Sequence, residues 1–129
     1  MARFEVNPFP DESSLRSLWT AAWGEPGPVS FDAILARSLG HVGAYHRDRL
    51  VGFVNLAWDG GTHAFILDTC VYPDHRRQGV GSELVMKAIE MAREHQVLWL
   101  HVDYEPHLAP FYGRCGFRPT TAGVMRLQP

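Results

Sequence analysis

The sequence contains few cysteines and no long apolar segment. Cys70 and Cys115 are its only cysteines, and they show no metal-ligand spacing. No signal-peptide pattern precedes them, so reduced thiols in a cytoplasmic protein are expected. No apolar run approaches the roughly 20 residues that a transmembrane helix needs. We therefore expect a cytoplasmic protein without a metal centre or a membrane partner.

An excess of either charge is also missing. The 12 basic and 14 acidic residues leave a formal net charge of -2. Without a global positive field, a nucleic-acid partner is not expected, and any anion site must be local. The 129 residues, of which 46% are hydrophobic, fit one core. We therefore predict a single α/β domain over residues 1–129.

Periodicity predicts a strand, two helices and then three strands in the first half of the chain. Residues 4–6 are a short strand, and residues 11–23 carry one apolar helical stripe. Ser30 is a suitable N-cap for a second helix that carries Phe31, Ile34, Leu35 and Leu39. An antiparallel meander is then predicted over residues 42–46, 50–58 and 63–72.

The second half of the chain predicts helices alternating with strands. Residues 79–95 have helical spacing of their apolar positions. Residues 97–103 read as a buried strand, and their place after a helix favours parallel pairing with the strand before it. Residues 106–115 predict a last helix ending at Gly116, and residues 117–120 and 124–127 predict a terminal hairpin.

A glycine-rich segment, Arg76-Arg77-Gln78-Gly79-Val80-Gly81-Ser82, lies between a strand and the long helix. Unpaired N–H groups and the positive end of the helix dipole collect at such a place. Gly79 and Gly81 lack β-carbons, so a diphosphate can approach the main chain closely. Two other phosphate loops are excluded: no Gly-Lys-Ser/Thr end is present, and Leu84 stands where the dinucleotide pattern needs glycine or alanine.

Two motifs together resemble one family. Arg76-x-x-Gly79-x-Gly81 after Cys70-Val71-Tyr72-Pro73 resembles the acetyl-CoA pyrophosphate loop of the GNAT superfamily of N-acetyltransferases. Phe111-Tyr112-x-x-x-Gly116-Phe117 resembles the signature on that family's last helix. The resemblance implies an α/β fold of the GNAT type, with a mixed, mostly antiparallel central sheet, a splayed parallel pair and flanking helices. It also implies acetyl transfer from acetyl-CoA to a primary amine of a small molecule or peptide.

The resemblance places the cofactor acetyl-CoA along the strand before the loop. In the family a bulge splays this strand from its parallel neighbour, and the pantetheine occupies the gap. Backbone groups of Cys70, Val71 and Tyr72 are then expected to bind the pantetheine or the thioester. The diphosphate is expected on the loop residues Arg76, Arg77, Gln78, Gly79, Val80, Gly81 and Ser82. The Cys70 thiol is expected to be a small buried side chain.

The resemblance also implies an acid, whereas the base is chosen by position. Tyr112 is expected to protonate the coenzyme A thiolate, because the pKa of a phenol, about 10, is close to that of an alkyl thiol. The alternative role for Tyr112 is packing at the edge of the core. The family has no single conserved base and often relays the proton through water. Asp68 is the leading candidate for the base, because strand periodicity places its side chain on the same face as that of Cys70. A carboxylate held by main-chain N–H groups is its alternative.

His101 and Asp103 are predicted to contact the substrate or relay a proton at the mouth of the cleft. Glu105 and His107 come next in the chain, and these groups have no fixed metal-ligand spacing. Many family members carry an Asn-x-x-Ala arrangement before the tyrosine, but no Asn occurs between Asp103 and Ala109. His107 or a backbone group is expected to replace that contact.

The segment between the first two helices usually covers the acceptor in this family. Trp23 and Glu25 are therefore predicted to line the acceptor pocket, where an aromatic ring and a carboxylate suit a cationic amine. Trp19 lies four residues earlier on the same helical face and is expected to pack in the core.

The sequence leaves two alternative functions to consider, and it also bears on the oligomeric state. A non-catalytic module that binds or senses acyl-CoA would use the same loop, although Tyr112 and Asp68 argue against it. A transferase acting on charged tRNA would need a basic surface. The predicted terminal hairpin is apolar for a sheet edge, so a homodimer is expected, with a monomer as the alternative.

Overall fold

Five strands form one sheet in a computed structural model that describes residues 1–129. Strands β1 to β5 span Arg3–Val6, Gly40–His46, Arg49–Trp58, His63–Val71 and Trp99–His101. Helices α1 to α4 span Glu12–Trp23, Phe31–Leu35, Val80–Glu94 and Ala109–Arg114. None of these helices combines the length and apolar character needed to cross a membrane.

The sheet is mixed and mostly antiparallel. Its strands are arranged in chain order from β1 to β5, and each neighbouring pair is antiparallel except β4 and β5, which are parallel. Helix α3 connects the parallel pair, as a crossover between parallel strands requires. The predicted fold class is therefore confirmed.

Helices cover both faces of the sheet. On one face, α3 packs over the middle strands and forms a core with the aromatic ring of Tyr112 from α4. On the other face, α1 and α2 pack over β3 and β4 around a second core, in which Leu15, Trp19, Phe31, Phe53 and Cys70 are buried. Strands β3 and β4 both present side chains to the two cores.

The first helix begins and ends as the sequence predicts, and the second begins as predicted. Asp11 caps α1 by accepting a hydrogen bond from the Ser14 N–H at 2.8 Å. Ser30 caps α2 by accepting from the Ala33 N–H at 3.2 Å. Gly24 ends α1 in the left-handed region, where glycine carries no β-carbon penalty. The segment between the helices is thus fixed at both ends.

Three details of the sequence prediction are wrong. The second helix ends at Leu35 and does not include Leu39. Strand β5 has only three residues and is an exposed edge, with Trp99 52% accessible. The terminal hairpin does not form: residues 117–129 contain no strand, although part of this segment lines an open groove with β5. A strand needs a partner edge, and β5 is too short to supply one, while Pro119 lacks an N–H group.

Gly27 provides a test of how the segment after α1 packs. A β-carbon there would lie 2.9 Å from the Trp19 ring, whereas one at Gly24 would meet nothing within 4 Å. Both glycines have positive φ, so alanine costs about 1 kcal/mol of backbone strain at either position. Gly27→Ala should lose about 1–3 kcal/mol more than Gly24→Ala in urea unfolding, because only the former overpacks the core. Equal losses would contradict this packing.

Candidate functional site

A β-bulge interrupts β4 in the middle of the sheet. Asn55 pairs with Leu67 and Phe53 pairs with Cys70, so two residues of β4, Asp68 and Thr69, stand opposite Val54 alone. Asp68 adopts a φ of 60°, in the left-handed region that residues other than glycine rarely occupy. Such a bulge bends the strand and increases its twist.

The bulge adjoins an opening between β4 and β5. The parallel pairing covers only three residue pairs and ends where Phe65 meets His101. Beyond that point β4 continues to Val71 without a partner on this side. The sheet is therefore splayed at the carboxyl end of its parallel pair, where ligands bind in many α/β folds.

Val71 is the predicted backbone contact that faces this opening. The Tyr72 N–H donates to the Val51 carbonyl at 2.7 Å, and the Tyr72 carbonyl accepts from the His75 N–H at 2.8 Å. Both backbone groups of Tyr72 are thus used within the protein. Because alternate residues present their backbone groups to opposite neighbours, Cys70 also turns toward β3, and Val71 turns toward the opening.

Six consecutive backbone N–H groups, from Arg77 to Ser82, donate no hydrogen bond to the protein. The series ends at the Glu83 N–H, which donates to the Gly79 carbonyl at 3.1 Å. Helix α3 begins within this segment, and no side chain caps it. Free N–H groups and the positive end of a helix dipole form a site for an anion such as a diphosphate.

The two glycines of the loop have different roles. Gly79 has a φ of 81°, and a β-carbon there would enter open space. Gly81 does not need positive φ, and its β-carbon would point at Phe111 and Val71, 3.5 and 3.8 Å away. Gly79 thus keeps the loop surface open, whereas a β-carbon at Gly81 would make only ordinary van der Waals contacts with α4 and β4.

The two loop arginines also differ. The Arg76 guanidinium donates to the Val71 carbonyl at 3.2 Å and to the Ala22 carbonyl at 3.4 Å, so it joins the end of β4 to the end of α1. Arg77 is exposed and makes no ion pair or side-chain hydrogen bond. The Arg77 side chain is therefore the free positive charge beside the unpaired N–H groups.

Tyr112 lies on α4 with its ring almost fully covered, at 6% exposure. Tyr104 stacks on it at 4.9 Å, and Phe111 and Phe117 meet it edge-on. Its phenol oxygen makes no hydrogen bond and is not among the fully buried unpaired atoms, so it reaches the surface. Burial raises the pKa of Tyr112, while the Thr69 hydroxyl lowers it, so the phenol stays protonated at neutral pH.

Asp68 is a half-buried carboxyl group. Burial raises its pKa from 3.8 to about 6. Asp68 and Cys70 were predicted to share a face of the strand, but the bulge between them breaks the alternation on which that prediction depends. The two side chains are nevertheless near each other. Burial is the main cause of the raised pKa of Cys70, and the Asp68 charge is the second. The Cys70 thiol is buried and remains protonated, as expected of a packing residue.

Thr69 is a site residue that sequence reasoning missed. Its hydroxyl oxygen is buried and has no hydrogen-bond partner. It stands close enough to Tyr112 to lower the pKa of the phenol, although the two groups do not meet hydrogen-bond geometry. The sequence could have indicated this position, because Thr69 lies between Asp68, the predicted base, and Cys70.

The remaining predicted contacts lie around the opening. The His101 Nε2 atom is 2.8 Å from Nδ1 of His63, and Phe65 stacks on the same ring, so His101 lies at the closed end of the opening. Asp103 is exposed beyond β5, and its charge raises the pKa of Tyr112, which indicates proximity. No three potential ligand side chains come together as a metal site would need.

The segment after α1 carries the predicted acceptor residues. Trp23 is 44% exposed and meets Trp19 edge-on at 4.6 Å. Trp19 is buried against Phe31, as expected of a core residue. Glu25 is exposed in the same segment. Arg76 links this segment to the loop through the Ala22 carbonyl.

The sequence matches a known family over most of its length. A profile of the Acetyltransferase (GNAT) family matches residues 9–117. The chain therefore belongs to the GNAT acetyltransferase family.

Two curated relatives are mycothiol acetyltransferases. Those of Mycolicibacterium vanbaalenii and Nocardia farcinica are 29% and 33% identical to this chain over 107 and 113 residues. The alignments cover 79% and 81% of this chain but 36% of each relative. This chain thus spans about a third of the length of these relatives.

Solved structures share the fold over the whole chain. A probable acetyltransferase from meticillin-resistant Staphylococcus aureus has a TM-score of 0.82 and 24% identity, with 100% of both chains covered. AAC(6')-Iy, in complex with the bisubstrate analog CoA-S-monomethyl-acetylneamine, has a TM-score of 0.74 and 18% identity, covering 100% of this chain and 99% of that chain. At these identities the similarity concerns the fold.

Proposed function

We propose that this chain is an acetyl-CoA-dependent N-acetyltransferase that acts on a primary amine of a small molecule or peptide. The observation that carries this proposal is the series of six unpaired N–H groups from Arg77 to Ser82, which begins α3 beside the splayed strands. Membership of the acetyltransferase family and the names of the curated relatives support acetyl as the transferred group.

The residues of the loop suit the cofactor. The diphosphate would lie on the main chain of Gln78, Gly79, Val80, Gly81 and Ser82, with the Arg77 guanidinium beside it. Arg76 would hold the loop in place through its bonds to Val71 and Ala22. The Val71 N–H would bind the pantetheine or the thioester oxygen, with Cys70 and Tyr72 shaping the strand around it. Bound acetyl-CoA supplies the activated acetyl thioester.

Asp68 and Tyr112 would handle the two protons of the reaction. The Asp68 carboxylate would take the proton of the attacking amine, directly or through water, and a pKa of about 6 suits a base at neutral pH. Tyr112 would give its proton to the departing thiolate. Asp68 lies near Cys70 of the α1-side core, whereas Tyr112 belongs to the α3-side core. The two groups would thus serve opposite sides of the opening.

The amine would arrive from the face that α1 covers. Trp23 offers an exposed ring and Glu25 a carboxylate in the segment after α1. Asp103 would add negative charge near Tyr112, and His101 would line the closed end of the opening. These groups together favour a cationic amine.

Assembly and location are also proposals. Val124, Met125 and Leu127 are exposed near the carboxyl end of the chain, which supports a homodimer through this region even though no hairpin forms. We place the protein in the cytoplasm and propose that residues 1–129 form a single acetyltransferase domain.

Release of free thiol from acetyl-CoA in the presence of a panel of amines tests the function directly. Thiol release that depends on one class of amine would support acetyl transfer and identify the acceptor. Binding of acetyl-CoA with no release for any amine would favour the sensing module.

Gly79→Ala tests the phosphate loop. The new methyl group enters the open space beside the N–H groups, so acetyl-CoA affinity in calorimetry should fall about tenfold or more. Gly60→Ala is the matched control, because Gly60 also has a φ near 80° and open space around it, but lies in the β3–β4 turn. Both variants should lose about 1 kcal/mol of stability. Unchanged affinity in Gly79→Ala would contradict the loop assignment.

Asp68→Asn tests the base. In the wild type, kcat/KM should fall as the pH drops below about 6, because the protonated carboxyl group cannot accept a proton. The variant should lose this acidic limb and about 10²-fold in rate at neutral pH. An acidic limb that persists in the variant would assign the base elsewhere.

The stability of Asp68→Asn provides the control. The folded pKa of Asp68 lies above its ordinary value of 3.8, so the folded state binds the proton more tightly than the unfolded state. Through this group, wild-type stability falls as the pH rises from about 4 to about 6. The variant lacks this loss and should be no less stable than the wild type at neutral pH. Lost activity would then not be due to unfolding.

Tyr112→Phe tests the acid. Turnover should fall roughly 10²-fold to 10⁴-fold while acetyl-CoA affinity stays unchanged, because only the proton donor is lost. Tyr104→Phe is the matched control, since this ring stacks on Tyr112 and loses the same atom. Equal turnover in the two variants would show that Tyr112 packs in the core and is not the acid.

A further inference from the structure

The Thr69 hydroxyl is the one buried side-chain polar atom in the chain without a hydrogen-bond partner. Buried polar groups are normally paired, because losing water without gaining a partner costs stability. A valine has nearly the same shape and would avoid this cost. The hydroxyl therefore calls for an explanation other than packing.

The position of Thr69 limits what the hydroxyl can touch. Thr69 is the second residue of the bulge, opposite Val54, which belongs to the α3-side core together with Tyr112. Its oxygen is fully buried, so it cannot contact a molecule in the opening unless the protein rearranges. The Tyr112 phenol oxygen, in contrast, reaches the surface. Thr69 can therefore act on a bound molecule through Tyr112.

The electrostatic effect of Thr69 on Tyr112 has a definite direction. Burial raises the pKa of the phenol, Cys115 and Asp103 raise it further, and the Thr69 hydroxyl alone among these neighbours lowers it. A hydroxyl that lowers the pKa acts as a donor toward the phenol oxygen. With its oxygen accepting from Thr69, Tyr112 would have its own proton free to point into the opening.

We propose that Thr69 is a positioning residue whose hydroxyl donates a hydrogen bond to the Tyr112 oxygen as that oxygen gives up its proton. This inference rests on the proposed role of Tyr112 as the acid. When the amine nitrogen bonds to the acetyl carbon and the C–S bond breaks, the electron pair would stay on sulfur, and the Tyr112 proton would move to it to form the thiol. The resulting phenolate is stabilised by the Thr69 O–H and regains a proton from solvent. The resting pair is too poorly aligned for a hydrogen bond, and the bond tightens as charge develops.

Thr69→Val and Thr69→Ser test this inference. Thr69→Val keeps the shape and removes the donor, so kcat should fall about tenfold with KM unchanged, because only the reacting state loses a bond. Thermal stability should be equal or higher, since an unpaired polar group has gone. Thr69→Ser keeps the donor and should restore kcat to within about threefold of the wild type.

A direct readout avoids reliance on activity. In protein labelled with ¹³C at the tyrosine ring, the NMR-measured pKa of Tyr112 should rise in Thr69→Val and not in Thr69→Ser. In the Tyr112→Phe background, Thr69→Val should have no further effect on kcat, because the two residues act as a unit.

The outcomes separate this inference from the proposed function. If Tyr112→Phe slows turnover but Thr69→Val changes neither kcat nor the Tyr112 pKa, the role of Thr69 is wrong and the acid stands. If Tyr112→Phe has no effect, the acid assignment itself is wrong. If Thr69→Val slows turnover equally with and without the Tyr112 hydroxyl, Thr69 does not act through Tyr112, and the inference is overturned.

Discussion

The bulge at Asp68 and Thr69 is the constraint on which the site depends. It places two residues of β4 opposite one of β3 and holds Asp68 in the left-handed region, at a cost on the order of 1 kcal/mol. The extra residue bends β4 and reverses the alternation of its side chains. Ile66 packs on the α3 side, whereas Cys70 packs on the α1 side, although both positions are even. One local irregularity thus lies beside the opening and decides which side chains of β4 face each core.

Main-chain atoms form most of the proposed binding surface. The N–H groups from Arg77 to Ser82 are free because α3 starts there without a side-chain cap. Such donors depend on backbone conformation, so the sequence needs glycine only where a β-carbon would intrude or strain would arise. This explains why a short pattern around Gly79 and Gly81 is sufficient to predict an anion site, and why the side chain of Arg76 can instead join two elements of the fold.

Periodicity in the sequence predicts the regular elements, but it does not predict features that depend on distant partners. Helix α3, the meander and the parallel pairing of β5 are predicted from apolar spacing and element order, and the structure confirms them. The prediction of a terminal hairpin is wrong, because apolar residues such as those at 124, 125 and 127 form a strand only where a sheet edge is available for pairing. The place of Thr69 in the site is missed since a bulge leaves no periodic signal: a threonine in a strand normally indicates β-propensity. The role of a residue such as Thr69 depends on contacts with residues that are distant in the sequence.

Two polar groups at one bulge make no hydrogen bond within the protein: the half-buried Asp68 carboxyl group and the buried Thr69 hydroxyl. Asp68 has a raised pKa, and Thr69 has an unpaired hydroxyl. Elsewhere in the chain, buried polar groups are satisfied: Asn55 accepts from the Ser38 hydroxyl, and His41 accepts from the Phe9 N–H at 3.0 Å. The protein can thus satisfy buried groups, so poor packing in general does not explain the bulge. The two groups at the bulge lie where the proposed mechanism places a carboxylate that accepts a proton and a donor that responds to a developing charge. Under the proposed mechanism, the stability lost at the bulge is a requirement of the chemistry.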